Sequence, residues 1–380
     1  MKTVKLGDVC EKNQTIKWST ESGFLEYIDL TSVDRQSLRI KTTTTINAKN
    51  APSRAQKIVK EGDVLFGTTR PTLDRRCMVG AEYDGQICST GLCVLRAKRN
   101  EIIPEYIFHL LSTASFRDYI EQTQRGTSYP AVTDSDVKDF EFLLPSLEEQ
   151  WRVVERLDAA FEKIDRAIEL TEKNITETNL IKSSLLTNAF NVSYSKTVKL
   201  GDVCDFKARA NNELLPYVGM EDVESGTGRF LGSITPRAVK SSTSYFDDTC
   251  VLYGKLRPYL NKVLVPDFKG HCSTEFLAIR PDLKKLDRKY LWHFLISPKT
   301  VDTLNGYTTG TRMPRADINI LKNLEISLPS LEEQRRVVER LDDAFEKIDA
   351  TVELRNKKLM KLNELKRTAL TQAFSGSGVK

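Results

Sequence analysis

Two long stretches of the chain carry the heptad pattern of a coiled-coil helix. Residues 146–190 and 330–374 contain no glycine or proline, so each can form one continuous helix on the order of 65 Å long. Each begins with S-L-E-E, which predicts a capping box with Ser146 or Ser330 as the N-cap. Spacings of three and four give one seam in the first helix, at Val154, Leu157, Phe161, Ile164, Ile168, Thr171, Ile175, Thr178, Lys182, Leu185 and Ala189.

The two helices are expected to pack on each other and to run antiparallel. Only residues 191–195 separate the end of the first helix from the start of the next globular region, so that region begins at the helix's far end. An antiparallel second helix returns directly toward the first globular region, whereas a parallel one requires the second region to stretch back along the whole helix. We therefore expect a stiff spacer that holds two domains apart, with pseudo-twofold symmetry.

The chain also repeats itself in order. K-T-V-K-L-G-D-V-C occurs at residues 2–10 and again at 196–204, and L-P-S-L-E-E-Q precedes each long helix. The helices that follow are nearly identical, as V-V-E-R-L-D-x-A-F-E-K-I-D shows at 153–165 and 337–349. The preceding ~140 residues of each half share only scattered motifs. This contrast predicts that the helices meet the same partner twice and that the variable regions meet different targets.

The sequence pattern of each variable region predicts a mixed α/β domain. Short β-type runs include residues 24–30, 63–67 and 92–96, and a helix is expected at 104–122 and at 287–304. The predicted fold class is therefore α/β (α+β), with two globular domains joined by two long antiparallel coiled-coil helices. The predicted boundaries are 1–145 and 196–329 for the domains, and 146–190 and 330–374 for the spacer helices.

Loops between these elements carry side chains suited to DNA. T-T-R-P at 68–71 and K-L-R-P-Y-L-N-K at 255–262 set polar groups beside prolines that fix the backbone, and G-T-x-x-P recurs at 126–130 and 310–314. Arginine can pair with guanine and asparagine with adenine, while lysine and hydroxyl groups anchor phosphates. The predicted DNA-binding residues are Thr68, Thr69, Arg70, Arg75, Arg125, Thr127, Ser128, Tyr129, Lys255, Arg257, Tyr259, Asn261, Lys262, Thr311, Arg312 and Arg315.

Composition changes this picture little. The net charge of +5 permits nucleic acid without requiring it. The seven cysteines contain no C-x-x-C pair, so we expect buried thiols rather than disulfides or a zinc site. No apolar run could span a bilayer and the N-terminus lacks a secretory pattern, which predicts a cytoplasmic protein without membrane partners.

The sequence lacks the motifs of the catalytic and cofactor sites that were considered. Neither a glycine-rich cofactor loop with an N-P-P or D-P-P motif nor a P-loop occurs, so we expect no catalytic residues, no metal and no cofactor. His109 and His293 occupy equivalent places in apolar helices and are expected to be packed rather than catalytic. Two alternatives stay open at this point: a coiled-coil scaffold with two protein-binding end domains, and a self-sufficient DNA-modifying enzyme.

The two copies of L-P-S-L-E-E-Q, each followed by its V-V-E-R-L-D helix, resemble the conserved regions of the specificity subunits of type I restriction-modification systems. The resemblance covers the entire chain. It implies two target recognition domains that each read one half of a split, asymmetric site in double-stranded DNA. It also implies spacer helices that dock two modification (methyltransferase) subunits, with restriction (motor-nuclease) subunits joining afterwards.

Overall fold

The computed structural model describes residues 2–191, 196–310 and 312–375. The chain divides into two compact units. The first unit comprises Met1–Leu170 and Lys358–Lys380, and the second comprises Thr171–Lys357. Each unit therefore contains one α/β domain together with portions of both long helices.

Both long helices form without interruption. They span Leu147–Phe190 and Leu331–Ser375. The hydroxyl of Ser146 accepts the backbone N–H three residues on at 3.3 Å. At Ser330 the predicted box is complete, because its hydroxyl accepts the Glu333 N–H at 3.2 Å and its own N–H donates to the Glu333 carboxylate at 3.1 Å.

The helix portions within the second unit run antiparallel. Lys182 Nζ lies 2.9 Å from the Asp349 carboxylate and 4.4 Å from the centre of the Phe345 ring. Farther along, Arg355 donates to the Asn174 carbonyl at 2.6 Å. Residues with increasing numbers on the first helix therefore contact residues with decreasing numbers on the second helix. The lysine is accommodated in the apolar seam because its ammonium group is paired with a carboxylate and lies over an aromatic ring.

The first unit repeats this arrangement. Lys366 Nζ lies 2.7 Å from the Asp165 carboxylate and 4.8 Å from the Phe161 ring centre. The end of the second long helix also enters the core of this unit, where the Phe374 ring packs 5.1 Å from Tyr106. Each domain is therefore built on the start of its own long helix and on the end of the other.

The domain of the first unit contains short, strongly mixed sheets. A central three-stranded sheet is antiparallel, and a four-stranded sheet includes one parallel pair. A third pair joins the first strand to the last, which closes the domain just before its long helix. In sheet order the strands are Arg76–Met78, Val64–Gly67 and Leu92–Leu95; Thr44–Ile46, Leu25–Ile28, Ile87–Ser89 and Ala55–Ile58; and Lys2–Lys5 with Glu141–Leu144.

The domain of the second unit follows the same plan with different strand lengths. Its first and last strands again pair antiparallel, and one parallel pair again occurs. In sheet order the strands are Cys204–Asp205, Phe276–Pro281, Val251–Gly254 and Val263–Leu264; Tyr217–Val218, Gly270–Ser273 and Thr243–Phe246; Thr197–Lys199 with Glu325–Ser327; and Thr308–Thr309 with Arg315–Ala316.

Each helix predicted inside a domain is in fact two helices. In the first domain the prediction breaks into Pro104–Leu110 and Ala114–Thr123, because Thr113 caps the second helix with its side chain. In the second domain it breaks into Arg288–Leu295 and Pro298–Gly306, since the second of these begins with a proline, which favours a helix start. Shorter α-helices lie at Asp134–Lys138, Leu200–Val203 and Ile318–Asn323.

All seven cysteines are free thiols, and all except the half-buried Cys204 are buried, as expected from the sequence. Burial raises the pKa of thiols such as Cys77 and Cys88 to about 12, so they act as small apolar side chains. No helix within the described ranges is both long and apolar enough to cross a membrane.

Candidate nucleic-acid interface

A sharply bent turn follows the central strand Val64–Gly67 of the first domain. We call residues 68–75 the arginine turn of this domain. A single turn of 3-10 helix, Pro71–Leu73, lies between Arg70, with a φ of 49°, and Asp74, with a φ of 53°. Both angles fall in the left-handed region, which costs a non-glycine residue on the order of 1 kcal/mol or more. The turn therefore holds its arginine in a strained backbone.

The second domain builds the same arginine turn at residues 255–262, after strand Val251–Gly254. Here Pro258–Leu260 lies between Arg257, with a φ of 51°, and Asn261, with a φ of 47°. Strained residues of this kind collect at functional sites, where the surrounding structure over-determines them. Because the strain recurs at equivalent positions in two divergent domains, it favours a function for these turns.

The structure brings the arginine turn of the first domain against residues 125–131, which we call its glycine loop. The Arg70 N–H donates to the Pro130 carbonyl at 2.7 Å, and the Val132 N–H donates to the Thr68 carbonyl at 2.9 Å. These two segments were predicted separately from the sequence. The fold joins them into one edge of the domain.

The same joining occurs in the second domain, whose glycine loop is residues 309–315. The Arg257 N–H donates to the Pro314 carbonyl at 2.7 Å, and the Ala316 N–H donates to the Lys255 carbonyl at 3.0 Å. The backbone frame of this edge is thus the same in both domains. Several of the side chains that it displays differ, whereas the arginine of the turn and the proline of the glycine loop are shared.

Several predicted side chains are displayed on these edges. Tyr129 is 71% exposed and its ring lies 4.8 Å from the Arg70 guanidinium, which the ring supports from one side. In the second domain Tyr259 is 52% exposed and Arg257 is exposed. Arginine and tyrosine side chains presented in this way can reach both base edges and phosphates.

The remaining predicted residues divide by exposure. Thr127, Ser128 and Arg312 are exposed, whereas Thr69 and Lys255 are half-buried. Thr311 lies outside the described residues. Two others serve the fold: the Thr68 hydroxyl is buried against the Gly91 carbonyl at 3.0 Å, and the Asn261 amide donates to the Ile296 carbonyl at 3.1 Å. Their side chains brace the arginine turns.

Two further predicted arginines are already paired with carboxylates. Arg125 contacts both carboxylate oxygens of Asp136, at 3.0 and 3.1 Å, and Arg315 binds Glu275 with its shortest contact at 2.6 Å. Hydrogen bonds from Thr133, followed by the arginine, hold the pKa of Asp136 below its usual value. Arg315 lowers the pKa of Glu275 in the same way. These arginines would have to exchange partners before binding a phosphate.

A third segment beside the arginine turn was missed in the sequence. In the first domain it is residues 33–40, the hairpin loop, closed by a bridge between Val33 and Ile40. The Arg75 guanidinium, which the sequence predicts to contact DNA, donates to the Leu30 carbonyl at the base of this loop. The cation at this position therefore holds a neighbouring loop.

The second domain has an equivalent hairpin loop at residues 223–230. It too is closed by a bridge, between Val223 and Phe230. Lys262 Nζ donates to the Met220 carbonyl at its base, at 2.6 Å. The spacing V-[D/E]-x-x-x-x-R occurs in both loops, at 33–39 and 223–229. This weak pattern is the signal from which the two hairpin loops could have been predicted.

A buried glutamine anchors each domain to its long helix. Gln150 is fully buried; its amide group donates to the carbonyls of Glu101 and Pro145 at 2.9 and 3.0 Å and accepts the Ile103 N–H at 3.0 Å. Gln334 makes the equivalent three bonds in the second unit. This explains the glutamine that ends both copies of L-P-S-L-E-E-Q.

The two equivalent histidines also serve this anchoring. His109 Nε2 lies 2.8 Å from the Asp158 carboxylate on the long helix, and His293 Nε2 lies 2.9 Å from Asp342. Both rings are buried, and burial lowers the pKa of each histidine despite the neighbouring carboxylate. The histidines are packed, as expected from the sequence.

A sequence model described as the type I restriction modification DNA specificity domain matches residues 1–179 and again 193–364. The chain belongs to the family of type I restriction-modification specificity subunits. Two copies of the family domain in tandem account for the doubled edge, the doubled anchors and the doubled helix.

The chain is similar in sequence to known specificity subunits. The EcoDI specificity subunit of Escherichia coli is 23% identical over 298 residues, which cover 68% of this chain and 66% of that protein. The StySPI specificity subunit of Salmonella potsdam is 24% identical over 365 residues, covering 86% and 77%.

Two solved structures support the same assignment. The HsdS subunit of Thermoanaerobacter tengcongensis is 30% identical with a TM-score of 0.60, covering 99% of this chain and 97% of that one. A chain from a structure on complex assembly and conformational transition of the type I R-M system is 29% identical with a TM-score of 0.84, covering 98% and 97%. This specificity subunit therefore has the family fold along nearly its whole length.

Proposed function

We propose that this chain reads a bipartite, asymmetric site in double-stranded DNA and directs associated methyltransferase and restriction subunits to it. One observation carries the proposal: the edge formed by the arginine turn and the glycine loop is built twice on the same strained backbone but with different exposed side chains. A shared frame with different side chains suits two domains that each read a different half of one site.

The exposed differences lie where DNA recognition needs them. Tyr129 of the first glycine loop corresponds to Met313 in the second, and Ser128 corresponds to Arg312. The arginine of each turn is kept, as Arg70 and Arg257. We infer that the shared arginine supplies a contact common to both halves, and that the differing residues discriminate bases in the major groove.

The long helices supply a different part of the function. We propose residues 1–145 and 196–329 as the recognition domains and residues 146–190 and 330–374 as spacers that set the distance between them. Because the first parts of the two helices are nearly identical, at 153–165 and 337–349, each suits the same partner, and two modification (methyltransferase) subunits dock there. Restriction subunits join this assembly.

The chemistry belongs to those partners. The chain lacks a methyltransferase or P-loop motif, so we propose that it is not catalytic and takes no cofactor of its own. We propose a cytoplasmic location for the chain, as expected from the sequence. A scaffold with protein-binding end domains is not favoured, because tandem specificity domains match the chain.

Methylation sequencing tests the proposal. DNA is taken from cells that express this chain with its neighbouring modification subunit and from cells that lack only this chain. A split, asymmetric methylated motif that depends on the chain supports the proposal and supplies the site. Methylation that is absent, or that is independent of the chain, refutes it.

A further inference from the structure

Each domain holds its hairpin loop beside the arginine turn by two independent contacts. In the first domain the Arg75 guanidinium binds the Leu30 carbonyl, and the exposed Arg35 donates from Nε to the Leu73 carbonyl at 3.1 Å. The second contact reaches directly into the 3-10 turn that follows Arg70. The hairpin loop and the strained arginine are therefore neighbours on one edge.

The second domain achieves the same placement with different groups. Lys262 binds the Met220 carbonyl, and the Gly226 N–H donates to the Asn261 carbonyl at 3.0 Å. A cation at the end of the arginine turn thus binds the base of the hairpin loop in both domains. The two domains differ in sequence here, yet both place the hairpin loop beside the arginine turn, and they use different bonds to do so. We infer that this placement is itself required.

We propose that the hairpin loop is a third DNA-contacting element of each domain, with Arg39 in the first and Arg229 in the second as its phosphate-binding residues. This inference rests on the proposed function. The two arginines occupy equivalent positions, because the Asp34 N–H donates to the Arg39 carbonyl at 2.9 Å and the Glu224 N–H donates to the Arg229 carbonyl at 2.9 Å. Both side chains are exposed.

The charge around the first hairpin loop suits a phosphate. Within residues 33–41, Arg35, Arg39 and Lys41 are all exposed, and Asp34 is the one carboxylate. That carboxylate is used by the loop itself, since it accepts the Ser37 N–H at 2.7 Å and pairs with Lys41 at 3.0 Å. Arg39 has no ion pair within the described residues, and its charge is available to a ligand.

The second hairpin loop is less basic. Arg229 is its one cation, and Glu224 binds the guanidinium at 3.0 Å. Part of its charge is therefore neutralised before DNA arrives, and the carboxylate must be displaced or must stay beside the contact. We infer that the hairpin loop of the first domain contributes more to the salt-dependent affinity than that of the second.

Arg75 and Lys262 are positioning residues, because each holds the hairpin loop of its domain in place. Their charged groups bind carbonyls at the base of the loop, so they act on DNA through the arginine that the loop carries. This differs from the sequence prediction, which assigned both of them to direct DNA contact. The difference is measurable because a positioning residue and its target are energetically coupled.

The experiment uses the complex of this chain with its modification subunits and a duplex that carries the methylated motif. Affinity is measured by fluorescence anisotropy between roughly 50 and 200 mM salt, a range over which the loss of phosphate contacts changes the affinity strongly. Arg39→Ala is expected to weaken binding about five-fold and to reduce the slope of log affinity against log salt by about one. Arg229→Ala is expected to change both quantities less.

Matched controls separate this effect from a general change of charge. Lys60 is exposed and precedes strand Val64–Gly67, at the end opposite the arginine turn. In the second domain Lys284 is exposed and follows strand Phe276–Pro281, whose last residues pair with the start of strand Val251–Gly254, away from the arginine turn. Lys60→Ala and Lys284→Ala should leave the salt slope unchanged. Arg39→Lys should preserve it, because a phosphate contact needs the charge and not the planar guanidinium.

A double-mutant cycle tests the positioning residue. Arg75→Met should weaken binding, and adding Arg39→Ala should cause little further loss, because both changes remove the same contact. If the losses of affinity in the two single variants multiply in the double variant, Arg75 is not a positioning residue for Arg39. If Arg75→Met unfolds the domain, thermal unfolding reveals it, and the comparison of Arg39→Ala with Arg39→Lys still decides the main proposal.

The outcomes are distinguishable from failure of the proposed function. If Arg70→Ala weakens binding while Arg39→Ala changes neither affinity nor salt slope, the hairpin loop is not a DNA contact but the chain still reads DNA. If Arg39→Ala leaves DNA binding intact and instead weakens capture of the modification subunit, the loop binds protein and the proposal is wrong. If the complex methylates no motif, both inferences fail together.

Discussion

His109 Nε2 lies 2.8 Å from Asp158 Oδ1, and this contact joins the first helix of the recognition domain to the long helix that leaves it. His293 and Asp342 make the equivalent contact at 2.9 Å in the other unit. The contacts differ in one neighbour: Lys289 also pairs with Asp342, at 2.7 Å, whereas the corresponding residue in the first domain is Glu105.

The histidine contacts predict a loss of stability in mild acid. Burial lowers the pKa of both histidines, so the unfolded chain binds more protons than the folded chain as the pH falls through about 6.5. Stability is therefore full above that pH and falls below it until the folded histidines also protonate. We expect the Tm to fall between pH 7 and about 5.5, and His109→Gln with His293→Gln to flatten this slope.

Differential scanning fluorimetry across this pH range checks the expectation. His109→Gln and His293→Gln alone should each remove part of the slope, because burial lowers the pKa of both rings. An unchanged slope in the double variant would show that other groups cause the acid sensitivity.

The buried glutamines predict large losses of stability when they are replaced. Gln150→Leu keeps a similar volume but leaves the Ile103 N–H and the carbonyls of Glu101 and Pro145 without their bonds. At about 1 kcal/mol or more for each, we expect a loss of roughly 3 kcal/mol in the free energy of unfolding. Gln334→Leu should reduce the free energy of unfolding by a similar amount. Chemical denaturation measures both, and a loss below about 1 kcal/mol would contradict the anchoring role.

The strained arginine predicts a conflict between stability and binding. Arg70→Gly removes the side chain and also relieves a φ of 49°, so the free energy of unfolding should rise by up to about 1 kcal/mol while DNA binding falls. Arg70→Ala should weaken binding without this gain. Only the half-site of the first domain should be affected, whereas Arg257→Gly should affect the other half.

Duplexes in which one half-site at a time is randomised measure this separation. We expect a loss of about ten-fold or more at the matching half, from one good base or phosphate contact. Equal losses at both halves would contradict independent recognition domains. A Tm that falls in both glycine variants would show that the arginine side chain, rather than its backbone, decides the stability of the turn.

The spacer helices predict how the tolerated gap between half-sites changes. One heptad inserted into both helices, after Leu170 and after Lys357, preserves the seam and adds about 10 Å to each. The preferred gap should grow by about three base pairs, at roughly 3.4 Å per pair. Methylation sequencing of cells with this variant measures the gap, and an unchanged gap would refute the spacer role.

Much of the architecture follows from local sequence signals. The two long helices are determined by uninterrupted helix-forming residues and by the S-L-E-E caps, and the polar position Lys182 within the seam of the first helix was visible as well. The repeat also showed that the chain contains two related domains. These features depend on neighbours a few residues apart, and such contacts can be read directly from the sequence.

Local signals do not decide what a side chain contacts where that contact lies on a distant segment. Arg70 and Arg75 are equally plausible DNA contacts in the sequence, yet one is displayed beside Tyr129 and the other binds the Leu30 carbonyl, 45 residues away along the chain. The pairing of Arg315 with Glu275 was equally hidden.

The sequence by itself determined the doubled plan, the long helices and the family, because each rests on a regular pattern along the chain. Only the tertiary structure decided which loops share an edge, which cations face solvent and which brace the fold. The hairpin loop illustrates the reason: its link to the arginine turn consists of single hydrogen bonds between residues such as Arg35 and Leu73, and such long-range contacts leave no periodic trace in the sequence.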